Sequence, residues 1–131
     1  MYGFNLEVGQ YVEMENFDKN DVSFTIKVTQ NIVDSQNIID PGILIAIIDT
    51  FSSFSSAAFF EEEEEQTKIS VSLNLKINSF GDMLLDETYK MKIFLKHSKK
   101  KFLLFEIHIL DKDNNVVKLA THLKKTVKAK F

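Results

Sequence analysis

Most of the chain alternates apolar and polar residues with a period of two, the pattern of strands with one face in a core and the other toward water. Val22, Phe24, Ile26 and Val28 alternate with Ser23, Thr25 and Lys27. They are preceded by Leu6, Val8, Val12 and Met14 and by a turn at Asp18-Lys19-Asn20-Asp21, which predicts a hairpin. Ile69, Val71, Leu73, Leu75 and Ile77 alternate with Ser70, Ser72, Asn74, Lys76 and Asn78 in the cleanest strand, and the apolar set is its expected core face. Three more strands are predicted: Met83 to Lys96, Phe102 to Leu110 after Ser98-Lys99-Lys100, and Val116 to Val127 after Asp113-Asn114-Asn115.

Residues 42 to 60 break this rhythm. Gly42-Ile-Leu-Ile-Ala-Ile-Ile-Asp-Thr-Phe51 has no period of two and is too long for a strand, although its isoleucines favour β structure locally. Asp40 supplies an N-cap and Pro41 suits the first helical position, so a helix is predicted to start there. Apolar nearly all round, it should be enclosed on most sides. Glutamates 61 to 65 would oppose the negative end of the helix dipole, so the helix is expected to end near Phe60 and the acidic run to be a solvated connection. One long helix among antiparallel strands specifies an α+β domain in which a curved sheet wraps around the helix. With no linker or internal repeat, residues 1–131 read as one domain.

Composition narrows the chemistry. The 131 residues carry a net charge of −3, are 44% apolar and include no cysteine. A disulfide framework, a thiolate zinc site and a cysteine nucleophile are thereby excluded, and an intracellular setting is favoured. All 16 basic residues are lysine, so no arginine is present to grip bases or phosphates bidentately, and no nucleic-acid partner is expected. The start Met1-Tyr2-Gly3-Phe4-Asn5 lacks the basic and apolar regions of a signal peptide. A cytoplasmic location is expected, with a mitochondrion or other organelle open if an upstream segment has been removed. The stretch from Pro41 to Phe60 contains Asp49, Thr50 and four serines, too polar for a membrane span. His97, His108 and His122 fall on three different strands or turns, and no spacing suggests a metal. Neither a nucleophile elbow, a phosphate loop nor a dinucleotide fingerprint is present.

Asp49 is the only charged residue between Ile43 and Phe51. Enclosing an ionised carboxylate there without partners is costly, which points to use as a general base or nucleophile. The alternatives are a structural aspartate bonded to Ser52 or Ser53, or one facing a subunit interface. At the start of the same helix, the N–H groups of Gly42 and Ile43 are candidate oxyanion donors, unless Asp40 caps them. Seven residues at ~1.5 Å each separate Gly42 from Asp49 by about 10 Å along the axis. If both act on one bond they must come from different subunits, which predicts an obligate dimer.

The run Asp34-Ser-Gln-Asn-Ile-Ile-Asp-Pro-Gly-Ile-Leu-Ile-Ala-Ile-Ile-Asp49, followed by Ile69-Ser-Val-Ser-Leu-Asn-Leu-Lys-Ile77, resembles the hotdog-fold acyl-CoA thioesterases of the PaaI-like, phenylacetate-degradation group. The resemblance runs from about Val22 to Lys125. In that family the helix opens with His-Gly-Gly and carries its catalytic Asp nine residues after the histidine; here Asp49 follows Asp40 by nine. The resemblance implies an acyl-CoA thioester hydrolase of fatty acid metabolism that needs no cofactor and assembles as a homodimer or a dimer-of-dimers tetramer. It further implies that Asp49 activates water or attacks the thioester, that Ser70 helps to place the water, and that the partner's helix start, with Gly42 and Ile43, polarises the carbonyl. His-Gly-Gly is here Asp40-Pro41-Gly42, so the family's first glycine is a residue with no N–H. The family's upstream Asn or Gln aligns with Asp34, with Gln36 or Asn37 as a substitute beside the substrate. Lysines 99–101 and Lys124, Lys125, Lys128 and Lys130 could meet the phosphates of coenzyme A. The phenylalanines from Phe51 to Phe60 could wall the acyl chain. An inactive hotdog protein that binds acyl chains or serves as a structural dimer is the second expectation. A dehydratase is a third, disfavoured because no histidine lies near the helix in sequence.

Overall fold

The computed structural model describes residues 9–59 and 68–128, the side chains at 57, 58, 68–70, 127 and 128 excepted. Six antiparallel strands form one sheet: β1 (Val12–Asp18), β2 (Asp21–Lys27), β3 (Lys68–Ser79), β4 (Thr88–Lys99), β5 (Phe102–Leu110) and β6 (Val116–Lys128). Their spatial order is β1-β2-β4-β5-β6-β3, which leaves β1 and β3 as edges. Helix α1 (Pro41–Phe54) and the single turn α2 (Ser56–Phe59) lie between β2 and β3 in sequence and pack on one face of the sheet. This is the predicted curved antiparallel sheet around one central helix, the hotdog arrangement.

The predicted alternation fills the core. Val22, Phe24, Ile26 and Val28, then Tyr89, Met91 and Ile93, then Leu103, Phe105, Ile107 and Ile109 are all buried and meet Leu44, Ile47 and Ile48 of α1. Each such side chain stabilises the fold by roughly 1.5–3 kcal/mol relative to exposure. Phe24 meets Phe51 with ring centroids 5.0 Å apart, and Phe59 meets Phe105 at 6.1 Å, which ties both helical segments to the sheet. Among the described residues, no helix is long and apolar enough to cross a membrane.

Four expectations need correction. The helix does not continue to Phe60: α1 stops at Phe54, and Ser55 separates it from α2. Ser52 Oγ donates to the Ile48 carbonyl and Ser55 Oγ to the Phe51 carbonyl, each at 2.6 Å, and such back-bonding loosens a helix at its end. Nor is α1 enclosed on most sides, since Ile45 and Phe54, on opposite faces of the helix, are each about half exposed. Strand β4 begins at Thr88, not Met83, because Leu84 makes only an isolated bridge to Ile38 and the chain then turns over Leu84–Glu87, where Asp86 is left-handed and Leu84 N–H donates to the Tyr89 hydroxyl. Leu6, Val8, Phe60 and Glu61–Glu65 lie outside the described residues.

The fourth correction bears on the site. Strand β3 pairs only with β6, and its register shifts between Ser72 and Asn74, so Leu73 is an extra residue. A bulge of this kind reverses which face the residues on either side of it present. Leu75 and Ile77 pack on the core as expected, but Val71 and Leu73 are 42% and 49% exposed and Ser72 turns inward instead.

The start of α1 follows the predicted capping chemistry: Asp40 Oδ1 accepts from Gly42 N–H at 2.8 Å and from Ile43 N–H at 3.2 Å. Asp40→Ala is expected to lower stability by about 1 kcal/mol in urea denaturation, and Asp40→Asn, which keeps an acceptor, by less.

Candidate active site

Strand β6 places polar side chains against the helix. Lys118, Ala120, His122 and Lys124 alternate on its inner face and are all buried. Buried polar groups need partners, and each of the three polar ones has a serine. Lys118 Nζ donates to Ser79 Oγ at 2.7 Å, and Lys124 Nζ donates to Ser53 Oγ at 2.8 Å. His122, with no exposed surface, has Ser52 Oγ 2.7 Å from Nδ1 and Ser72 Oγ 2.7 Å from Nε2. The imidazole therefore bridges α1 to the edge strand β3.

Asp49 joins this cluster. Its Oδ1 stands 3.5 Å from His122 Nε2, and its side chain is 46% exposed in the single chain. It is thus neither sunk in apolar surroundings, as its neighbours in sequence suggest, nor locked to Ser52 or Ser53 through its carboxylate. It occupies the open flank of α1, beside the free edge of the sheet. The carboxylate is electrostatically balanced by the buried Lys124 ammonium, for which burial lowers the pKa and Asp49 opposes the shift. Burial, with a smaller contribution from Lys124, pulls the His122 pKa from its ordinary 6.5 to about 4, against the pull of Asp49. At neutral pH the ring is uncharged.

The remaining predicted residues are placed as follows. Gly42 is exposed at the helix start, but its N–H and that of Ile43 both point at Asp40 Oδ1, so a substrate oxygen would have to displace the cap. The Ile43 side chain is partly buried against the core. Asp34 accepts from Gln36 and Ile38 N–H groups through Oδ1 in an exposed turn, where Asn37 takes the left-handed conformation that asparagine tolerates. Ser70, on β3, pairs with Thr126 of β6, and its side chain lies outside the described residues. Lys124 is no surface phosphate ligand, being 3% exposed and turned inward. A cavity of about 540 Å³ lies elsewhere, between the β1–β2 turn, Phe59 and β4, and includes none of these residues.

Sequence reasoning missed His122 and Ser72. His122 is seventy residues from Ser52 and fifty from Ser72. Its only local signal was alternation with Lys118, Ala120 and Lys124 on a strand whose other face, with Val117, Leu119 and Leu123, is the more apolar. The expectation that no histidine stands beside the helix is wrong for the same reason: the fold brings one there. Among the described residues, no group of three histidine or acidic side chains gathers as a metal site would require.

The depressed His122 pKa has a consequence for stability. The unfolded chain takes up a proton near pH 6.5 that the folded chain refuses until about pH 4, so the stabilisation is complete above 6.5 and is lost as pH falls through that window. At about 1.4 kcal/mol per unit, the effect is on the order of 3 kcal/mol. The groups facing the ring are Asp49 on α1 and Lys124 on β6. His122→Gln should flatten the dependence of stability on pH over this range in urea melts, and parallel profiles for wild type and variant would contradict the assignment.

No family model and no curated protein matches the sequence. Solved structures do match. A Streptococcus mutans protein bound to acetyl CoA is 18% identical with a TM-score of 0.77, the alignment covering 91% of each chain. A thioesterase of Haemophilus influenzae is 14% identical with a TM-score of 0.79, over 95% of this chain and 82% of that one. The E. coli PaaI protein from the phenylacetic acid degradation operon is 15% identical with a TM-score of 0.77, over 94% and 83% of the two chains. The structural neighbours of this chain are thus PaaI-like hotdog thioesterases, and it shares their fold.

Proposed function

We propose that the protein is an acyl-CoA thioesterase in which Asp49 acts on the thioester at an interface between two copies of the chain. One observation carries this reading: on a fold shared with named thioesterases, α1 holds a half-exposed carboxylate beside the open edge of the sheet, within 3.5 Å of a neutral imidazole. A carboxylate there is reachable from solvent, and Lys124 lies close enough to interact with it. As general base, Asp49 takes a proton from water as the water oxygen bonds to the acyl carbon. The C–S bond then breaks, and the thiolate of coenzyme A leaves with that proton, giving acid and thiol.

A second protomer is invited by the surface. Strand β3 has twelve residues, an unpaired edge and two exposed aliphatic side chains, Val71 and Leu73, and such edges are ordinarily covered. Pairing there would enclose Asp49 and raise the strength of every electrostatic contact around it. It also meets the distance requirement, because the start of α1 lies too far from Asp49 in its own chain. A coenzyme A thioester of medium or long acyl chain suits the phenylalanines around the helix. The setting would be fatty acid metabolism in the cytoplasm.

The cap at the start of α1 favours a second reading, a hotdog protein that binds acyl groups without hydrolysing them. Pro41 has no N–H, and Asp40 fills the next two donors with negative charge, which opposes a developing oxyanion. Thiol release from acyl-CoAs of graded length separates the two. Asp49→Asn is expected to cut turnover by about 10²- to 10⁴-fold while leaving the dimer intact by light scattering. Unchanged turnover in that variant would exclude Asp49 from the chemistry, and acyl-CoA binding without any thiol release would establish the second reading.

A further inference from the structure

We infer that Ser52 and His122 form a fixed hydrogen-bond chain, a relay of orientation in which no proton is transferred, that aims the hydroxyl of Ser72 and makes Ser72 and Asp49 the paired acceptors of the attacking water. This rests on the thioesterase reading above.

The direction of each hydrogen follows from the contacts. Ser52 has one proton, and its shortest contact is to the Ile48 carbonyl at 2.6 Å, which can only accept. A hydroxyl oxygen held that close to a carbonyl oxygen must place its hydrogen between them. Ser52 therefore accepts from His122, 2.7 Å away, so Nδ1 carries the ring's proton. With the ring neutral, Nε2 has a lone pair and receives the hydrogen of Ser72 at 2.7 Å. Ser72 is left with lone pairs only on its open side.

Ser72 Oγ and Asp49 Oδ1 flank the same nitrogen, at 2.7 and 3.5 Å from Nε2, and the inferred water bridges these two oxygens. That water donates one hydrogen to each oxygen, and its own lone pair is then free for the acyl carbon. Were the tautomer reversed, Nε2–H would point at Ser72, whose hydroxyl would turn outward as a donor and hold the water in the opposite orientation. His122 is thus a positioning residue: it touches no substrate, and its effect reaches the reaction through Ser72. The bulge at Leu73 is what presents Ser72 inward, and the same role does not require the Ser70 hydroxyl.

The test combines tautomer and kinetics. In ¹⁵N-resolved imidazole spectra of the full chain, His122 should be the neutral Nδ1–H form, and Ser52→Ala should convert it to a mixture. In thiol-release assays, His122→Leu and Ser72→Ala should each lower kcat by about tenfold or more with KM unchanged. His122→Gln, whose amide oxygen accepts from Ser72 while its amide N–H donates to Ser52, should stay within about threefold of wild type. If His122→Leu does not fold, Ser52→Ala carries the test, with a kcat loss that accompanies the tautomer change. An Nε2–H tautomer in wild type, or full kcat in Ser72→Ala, overturns the relay alone. Absence of any wild-type turnover overturns the relay and the thioesterase reading together.

Discussion

A buried imidazole has two nitrogens to satisfy, and in this protein that requirement joins three elements. His122 on β6 finds one partner on the helix, Ser52, and one on the edge strand, Ser72, and has no access to water that could replace either. Each bond is worth only about 1 kcal/mol net, but losing one leaves a buried polar atom unpaired at a cost of roughly 1–3 kcal/mol. The penalty adds to the apolar contacts of Leu75 and Ile77 and to the ladder with β6 in holding β3 in register against α1. The bulge at Leu73 fits this constraint: without the extra residue, a strand packing Leu75 and Ile77 on the core would turn Ser72 away from the ring.

The same cluster explains why the carboxylate can sit where it does. Asp49 has neighbours in sequence that are almost all aliphatic, yet its own flank of the helix carries Ile45 outward and meets the polar strip of β6. The strip supplies a buried ammonium and an uncharged ring, so the environment is polar without being crowded by competing charge. An apolar β6 would leave Asp49 facing only its own helix and open solvent, with nothing to orient a reactant.

At the other end of the helix, local satisfaction opposes reactivity. The carboxylate of Asp40 saturates two of the N–H groups that a helix start offers to anions, and a methyl group at Gly42 would stand only 3.1 Å from that carboxylate, so the turn is tightly made. The chain therefore combines a half-exposed carboxylate beside a buried imidazole with an occupied donor pair at the helix start. An incoming oxyanion would reach those two N–H groups only by displacing Asp40.

How much of this was legible in the residues follows from the range of the interactions. Alternation over Val22–Val28 and Phe102–Leu110, the Asp40-Pro41 start and the Asp113-Asn114 turn are set by neighbours a few positions apart, and each stands where local chemistry puts it. That Asp49 is the one charged residue of the helix is likewise plain from the residues alone, although its half-exposed setting is not. The end of α1 was misjudged because serine back-bonding competes with helical order in a way that apolar periodicity does not register. The inner face of β3 and the place of His122 lay beyond reach altogether. A single extra residue reverses a strand's faces, and the partners of the imidazole are fifty and seventy residues away, so only the folded sheet decides which side chains meet Asp49.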